Sequence, residues 1–122
     1  MKPLTTREDQ IMQIVWRLKK AFIRDIVQEL PEPKPHYNTI ATIVKILVKK
    51  GVLQSEKIGN THQYSASVDF DVYREENLVN IKKKYFGDSF PSMMAYFAKD
   101  ENLSEKEIEE LIKIIKSKKD QS

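Results

Sequence analysis

Apolar residues recur at helical spacing in three consecutive segments of the N-terminal half, at positions i, i+3, i+4 and i+7. The first segment opens with Thr5 and Glu8, which have the spacing of a capping box. Prolines end the second segment, because proline lacks the amide proton that a helix needs. Gly51 follows the third segment, where a helix C-terminal glycine belongs. The pattern therefore predicts three helices, over residues 5–18, 22–30 and 37–50.

Two short strand patterns follow the third predicted helix. They are joined by Gly59-Asn60-Thr61, which suits a tight turn, so the pattern predicts a β-hairpin over residues 52–66. Beyond residue 67 the apolar spacing is helical again, and Ser104 with Glu107 repeats the capping-box spacing. The rest of the chain is therefore predicted to form three helices, at about 70–86, about 90–97 and from 104 onward.

This order of elements predicts a mainly α fold with two domains. Three helices and a two-stranded hairpin form a winged helix-turn-helix domain, whose third helix enters the DNA major groove while the wing contacts the flanking backbone. We assign this domain to residues 1–67 and a C-terminal helical dimerisation domain to residues 68–122. A few short amphipathic helices cannot cover their own apolar stripes, whereas a second copy can. The predicted dimerisation residues are Leu78, Ile81, Tyr85, Leu111, Ile112 and Ile115.

The third predicted helix carries polar side chains opposite its apolar stripe, and they suit contacts to DNA. Asn38 can make a bidentate contact to adenine, and Thr42 can hydrogen-bond to a base edge or a phosphate. Lys45 can reach guanine or a phosphate. The other lysines of this helix and of the wing are best suited to phosphates. The predicted DNA-binding residues are Tyr37, Asn38, Thr39, Ala41, Thr42, Lys45, Lys49, Lys50, Lys57 and Asn60. The alternative is that these side chains only solvate an amphipathic helix.

The distribution of charge favours a partner that is a polyanion. The net charge of the 122 residues is +3, but residues 1–66 carry a net charge of +5 and residues 67–122 one of −2. A basic first half followed by an acidic second half is typical of a polyanion-binding module joined to a region with another task.

Catalysis and metal binding find little support in the sequence. The chain has no cysteine, which excludes a disulfide framework and a thiolate metal site. His36 and His62 fall in different predicted elements without a nearby nucleophile, and no phosphate-binding loop or metal-ligand spacing occurs. We therefore expect a protein that is not an enzyme and has no cofactor and no metal. No long apolar run or signal peptide is present, so we expect a cytoplasmic protein without membrane insertion.

Four motifs carry a resemblance to a known family. They are Leu4-Thr5-x-x-Glu8-x-x-x-Met12-x-x-x-Trp16, Tyr37-Asn38-Thr39-Ile40-Ala41-Thr42-Ile43, Leu47-Val48-Lys49-Lys50-Gly51-Val52 and Met94-Ala95-Tyr96-Phe97-Ala98. Together they resemble the penicillinase repressor (BlaI/MecI) family of winged-helix regulators over nearly the whole chain.

The resemblance implies a bacterial repressor of transcription that binds double-stranded operator DNA as a homodimer. It also implies control by a membrane sensor with a metalloprotease domain, which acts indirectly and leads to cleavage within the C-terminal domain. The position of that cut is matched here by Tyr96-Phe97. The alternative from another class is a winged-helix module that mediates protein–protein contacts without reading specific DNA.

Overall fold

Six helices and three strands make up residues 3–120, the part of the chain that the computed structural model describes. The mainly α fold is confirmed, with three helices and a wing followed by three further helices. Residues 1–2 and 121–122, at the outer ends of the predicted domains, lie outside the described residues. The elements are α1 (Thr6–Leu18), β1 (Lys20–Ala21), α2 (Ile23–Glu29), α3 (Tyr37–Lys49), β2 (Leu53–Ile58), β3 (Thr61–Ala66), α4 (Phe70–Tyr85), α5 (Phe90–Asp100) and α6 (Glu105–Asp120).

Both predicted capping boxes are confirmed. The Glu8 amide donates to the Thr5 hydroxyl at 3.1 Å, and the Thr5 amide donates to the Glu8 carboxylate at 2.9 Å. At α6 the Glu107 amide donates to the Ser104 hydroxyl at 3.2 Å, and the Ser104 amide donates to Glu107 at 3.3 Å. These reciprocal bonds satisfy amide groups that the first turn of a helix otherwise leaves without partners.

The wing belongs to a sheet of three strands rather than the predicted two. Strands β2 and β3 pair antiparallel around a turn at Gly59 and Asn60, where Gly59 has a φ of +62°. The short strand β1 joins the other edge of β3, with Ala21 opposite Tyr64. The sequence did not predict β1, because two residues are too few to show an alternating pattern.

The apolar residues of the first five elements form one core with the base of the wing. The stripe of α3 lies in this core, with Ile40, Val44 and Leu47 fully buried, and this packing fixes which side of α3 faces outward. The buried members of the core are Ile11, Met12, Ile14, Val15, Ala21, Ile23, Ile26, Leu30, Ile40, Val44, Leu47, Val52, Leu53 and Tyr64.

The chain divides into two compact units, the first ending at Glu76 and the second beginning at Asn77. The first unit includes the segment that follows residue 67, and Trp16 contacts this segment. The Trp16 indole N–H donates to the Val68 carbonyl at 2.9 Å, and the Trp16 ring contacts those of Phe70 and Tyr73 at 5.3 and 4.9 Å. Helix α4 therefore begins in the first unit and ends in the second.

The second unit leaves most of its apolar side chains exposed. Among residues 77–120, only Met93 is buried. Leu78, Ile81 and Tyr85 on α4 are between 38% and 66% exposed, and Ile112 and Ile115 on α6 are 47% and 44% exposed. Leu111 is half-buried. An exposed apolar surface that recurs on successive helices is typical of an interface.

Candidate nucleic-acid interface

Helix α3 presents the predicted polar face to solvent. Because Ile40, Val44 and Leu47 are held in the core, Asn38, Thr42, Lys45 and Lys49 lie on the opposite side, and all four are exposed. Thr39 is also exposed and Ala41 is half-buried. The geometry therefore gathers two side chains that can read bases and two cations on one accessible helix face.

The hydroxyl of Thr42 has a defined direction. It donates to the Asn38 carbonyl at 3.0 Å, one helical turn earlier. The oxygen lone pairs remain available, so Thr42 in this arrangement accepts hydrogen bonds and does not donate them outward. An amino group of adenine or cytosine fits this better than a phosphate, which is an acceptor only.

The start of α3 is fixed by His36 and lies close to a cation that sequence reasoning missed. The His36 ring nitrogen Nδ1 accepts from the Asn38 amide at 3.4 Å. Tyr37 is half exposed and lines a shallow cavity with Arg24 and Thr61. Arg24 is exposed, and its guanidinium lies 5.3 Å from the Phe22 ring. Nothing in the sequence of α2 distinguishes Arg24 from a solvating residue, so only the fold brings it near α3.

The wing places its predicted residues in solvent. Lys57 on β2 is exposed and pairs across the strands with His62 on β3. Asn60 lies in the turn at the tip and is exposed. The hairpin therefore offers a cation and an amide at an edge of the first unit, as a wing that contacts a phosphate backbone requires.

Lys50 differs from the other predicted DNA-binding residues, because its charge is already paired within the protein. Its ammonium group lies 2.9 Å from both carboxylate oxygens of Glu8. Glu8 is only 4% exposed, and the Lys50 side chain is 28% exposed. Burial by itself raises the pKa of the Glu8 carboxyl, but the Thr5 amide and the Lys50 ammonium outweigh burial, so its pKa is lowered.

The pair joins the first turn of α1 to the residue that ends α3. The sequence predicted a phosphate contact for Lys50 and a capping contact with Thr5 for Glu8, but no ion pair between the two residues. One signal was present, because Glu8 precedes Ile11, Met12 and Val15 at the helical spacing of the buried stripe. A carboxylate at such a position needs a partner in the fold.

The predicted cleavage residues lie inside a helix. Tyr96 and Phe97 belong to α5 and are 57% and 43% exposed. Their rings lie 5.6 and 6.3 Å from the ring of Phe86, so the three form an aromatic cluster within the second unit.

Over residues 3–120, no group of three or more histidine or acidic side chains could hold a metal ion. No helix in that range is long and apolar enough to cross a membrane.

Comparisons with known proteins agree with the resemblance of the motifs. A family model described as penicillinase repressor matches residues 4–117. A penicillinase repressor of Staphylococcus aureus is 32% identical over 113 residues, which cover 92% of this chain and 90% of that protein. The methicillin resistance regulatory protein MecI of Staphylococcus aureus (strain N315) is 30% identical over 116 residues, which cover 94% of each protein. Among solved structures, the monomeric form of Bacillus licheniformis BlaI in complex with the blaP half-operator has a TM-score of 0.49 and 24% identity, over 57% of this chain and 87% of that chain.

Proposed function

The chain belongs to the penicillinase repressor family, and from that premise we propose that it represses transcription by binding operator DNA as a homodimer. The observation that carries this proposal is the outer face of α3, which the buried stripe of the same helix turns toward solvent beside the wing. This arrangement matches a recognition helix that enters the major groove. The protein would then have a regulatory and not an enzymatic role.

The contacts divide between reading bases and binding phosphates. We assign base reading to Asn38 and Thr42, since an amide and an accepting hydroxyl can distinguish base edges. Lys45, Lys49 and Lys57 bind phosphates, which add affinity without reading sequence. Tyr37, Thr39, Ala41 and Asn60 complete the proposed DNA-facing surface. Lys50 forms an ion pair with Glu8 and so stabilises α3, and we assign it no contact with the DNA phosphates.

A second copy of the chain covers the exposed apolar surface of the second unit. The residues proposed to be covered are Leu78, Ile81, Tyr85, Leu111, Ile112 and Ile115. A two-fold dimer presents two copies of α3 to half-sites that are one or more helical turns apart. Binding the first half-site raises the effective concentration at the second, so affinity for the operator depends on the dimer.

Titration of the DNA upstream of the chain's own gene tests the proposal. Replacing Lys49 by alanine should lower affinity for all sequences and reduce the salt slope by about one unit. Replacing Asn38 by alanine should relax the preference at one base position, at a cost of about 1–3 kcal/mol. Lys106→Ala removes the same charge from α6 and serves as the control. If both α3 variants bind like the natural chain and like the control, α3 does not read DNA, and the protein-contact module becomes the better interpretation.

We also propose that cleavage between Tyr96 and Phe97 releases the operator, with a membrane sensor acting indirectly. The cut would separate α6 from the rest of the second unit, remove its Ile and Leu side chains from the dimer and so weaken binding to two half-sites. Because both residues lie in a helix, that segment must open locally before a protease can bind it. Mass spectrometry of the protein from induced cells should find the two fragments. An intact chain throughout derepression would show that control takes another route.

A further inference from the structure

Helix α6 sorts its charges by sign along its whole length. Residues 105–111 contain four glutamates and one lysine, whereas residues 112–119 contain four lysines and no acidic residue. The helix dipole favours acidic residues in the first turn and basic residues in the last. That effect does not extend to the middle of a helix, where Glu109, Glu110 and Lys113 continue the same separation.

The same helix has an apolar stripe that the rest of residues 3–120 leaves partly exposed. Ile108, Leu111, Ile112 and Ile115 follow at i, i+3, i+4 and i+7, and none of the residues of α6 is buried. Ile108 is 39% exposed and Ile112 is 47% exposed. The stripe runs through both the acidic and the basic half, so any helix that packs along it also lies beside both charged halves.

We infer that α6 packs antiparallel against α6 of a second copy, and that its charges select this direction; the inference rests on the homodimer proposed above. A parallel pair would set glutamates beside glutamates and lysines beside lysines, which is destabilising. An antiparallel pair sets the acidic half of each helix beside the basic half of the other. The charges therefore discriminate between two arrangements that the apolar stripe alone would allow.

Two equivalent ion pairs lie on either side of the centre of this arrangement. In an antiparallel pair centred between Ile112 and Lys113, Glu109 lies level with Lys116 of the partner subunit. A step of about 100° per residue places Glu109 and Lys116 on the same flank of the stripe, about 20° apart around the helix. The two-fold axis repeats the contact, so each dimer contains it twice. Glu110 lies on the opposite side of the helix, about 150° from the centre of the stripe.

Charge reversal at these positions tests the pairing, measured as the dimer dissociation constant by sedimentation equilibrium of the full chain. Glu109→Lys should raise that constant about tenfold, because two attractions become repulsions and exposed ion pairs contribute about 0.2–1 kcal/mol each. Lys116→Glu should do the same. The double variant, Glu109→Lys with Lys116→Glu, should return the constant to within about threefold of the natural chain, because the attraction is restored with its sign exchanged. Glu110→Lys is the matched control and should leave the constant unchanged.

Each outcome supports or overturns the inference. Rescue in the double variant supports antiparallel pairing, because a parallel pair would still place like charges together in that chain. Failure of rescue, or an equal effect of Glu109→Lys and Glu110→Lys, overturns it. Circular dichroism of each variant separates a lost dimer from a lost helix. If the natural chain dimerises and binds its operator but the reversals have no effect, only the inference fails. If the natural chain is a monomer, the proposed homodimer fails with it.

Discussion

Replacing Lys50 by methionine should destabilise the first unit through the carboxylate that it leaves behind. Methionine retains much of the apolar stem but removes the ammonium group that lies 2.9 Å from both oxygens of Glu8. Removing one partner of a fully buried ion pair costs about 3–5 kcal/mol. Water reaches the Lys50 side chain, which is 28% exposed, so we expect a smaller loss of about 2 kcal/mol. For a domain of this size, that loss lowers the Tm by about 10 °C.

The loss should depend on pH in a defined direction. The pKa of Glu8 is lowered from its ordinary value of 4.5 in the folded protein, so its contribution to stability is fully present above that value. The contribution disappears as the pH falls below 4.5 and through the lowered pKa. Without Lys50 the effect of burial is less opposed, and the pKa of Glu8 rises. The difference in stability between the natural chain and the variant should therefore be largest at neutral pH and shrink under acid conditions.

Thermal denaturation followed by circular dichroism at a series of pH values measures this difference. Lys49→Met is the matched control, because it makes the same change at the neighbouring exposed position of α3. Adding Glu8→Gln to the Lys50 variant should recover part of the loss, since the amide does not carry the unpaired charge. The ion pair does not hold α1 and α3 together if Lys50→Met and Lys49→Met have the same Tm. The same conclusion follows if the loss of stability in Lys50→Met is equal at every pH.

Two further predictions concern the backbone and the contacts of α1. Tyr73→Phe removes the hydroxyl that donates to Asp9 at 3.0 Å. In urea titrations this change should lower the free energy of unfolding by about 1 kcal/mol. An unchanged midpoint would show that the bond contributes nothing to stability. Lys19 follows the last residue of α1 and has a φ of +74°, a region that favours glycine. Lys19→Gly should therefore raise the free energy of unfolding by about 0.5–1 kcal/mol and the Tm by a few degrees. A lower Tm would contradict strain at this residue.

The features that could be predicted from the sequence are those that neighbouring residues determine. The capping boxes at Thr5 and Ser104 depend on residues three positions apart, and the polar face of α3 follows from helical periodicity within one segment. The limits of these elements could therefore be predicted closely. Placement of Asn38 and Lys49 on an exposed face also followed, because a core stripe on one side leaves the other side to solvent.

The features that could not be predicted join residues that are far apart in the chain. Glu8 and Lys50 are 42 residues apart, and Trp16 and Val68 are 52 apart, so only the folded chain brings each pair together. The first contact gives Lys50 a partner within the protein, and the second attaches the segment after residue 67 to α1. Strand β1 was missed for a related reason, since its pairing is decided by the edge of β3 and not by its own two residues.

Trp16, whose indole N–H donates a hydrogen bond to Val68, is an intrinsic fluorescent probe of the first unit. Trp16 is the one tryptophan of the chain, so light absorbed by indole is emitted from the first unit alone. Dissociation of a dimer at the second unit should leave that emission unchanged. Detachment of residues 68–73 from Trp16 should expose the indole to water and shift its fluorescence to longer wavelength. Unlabelled protein can thus report the opening of its N-terminal unit while dissociation is followed separately by mass.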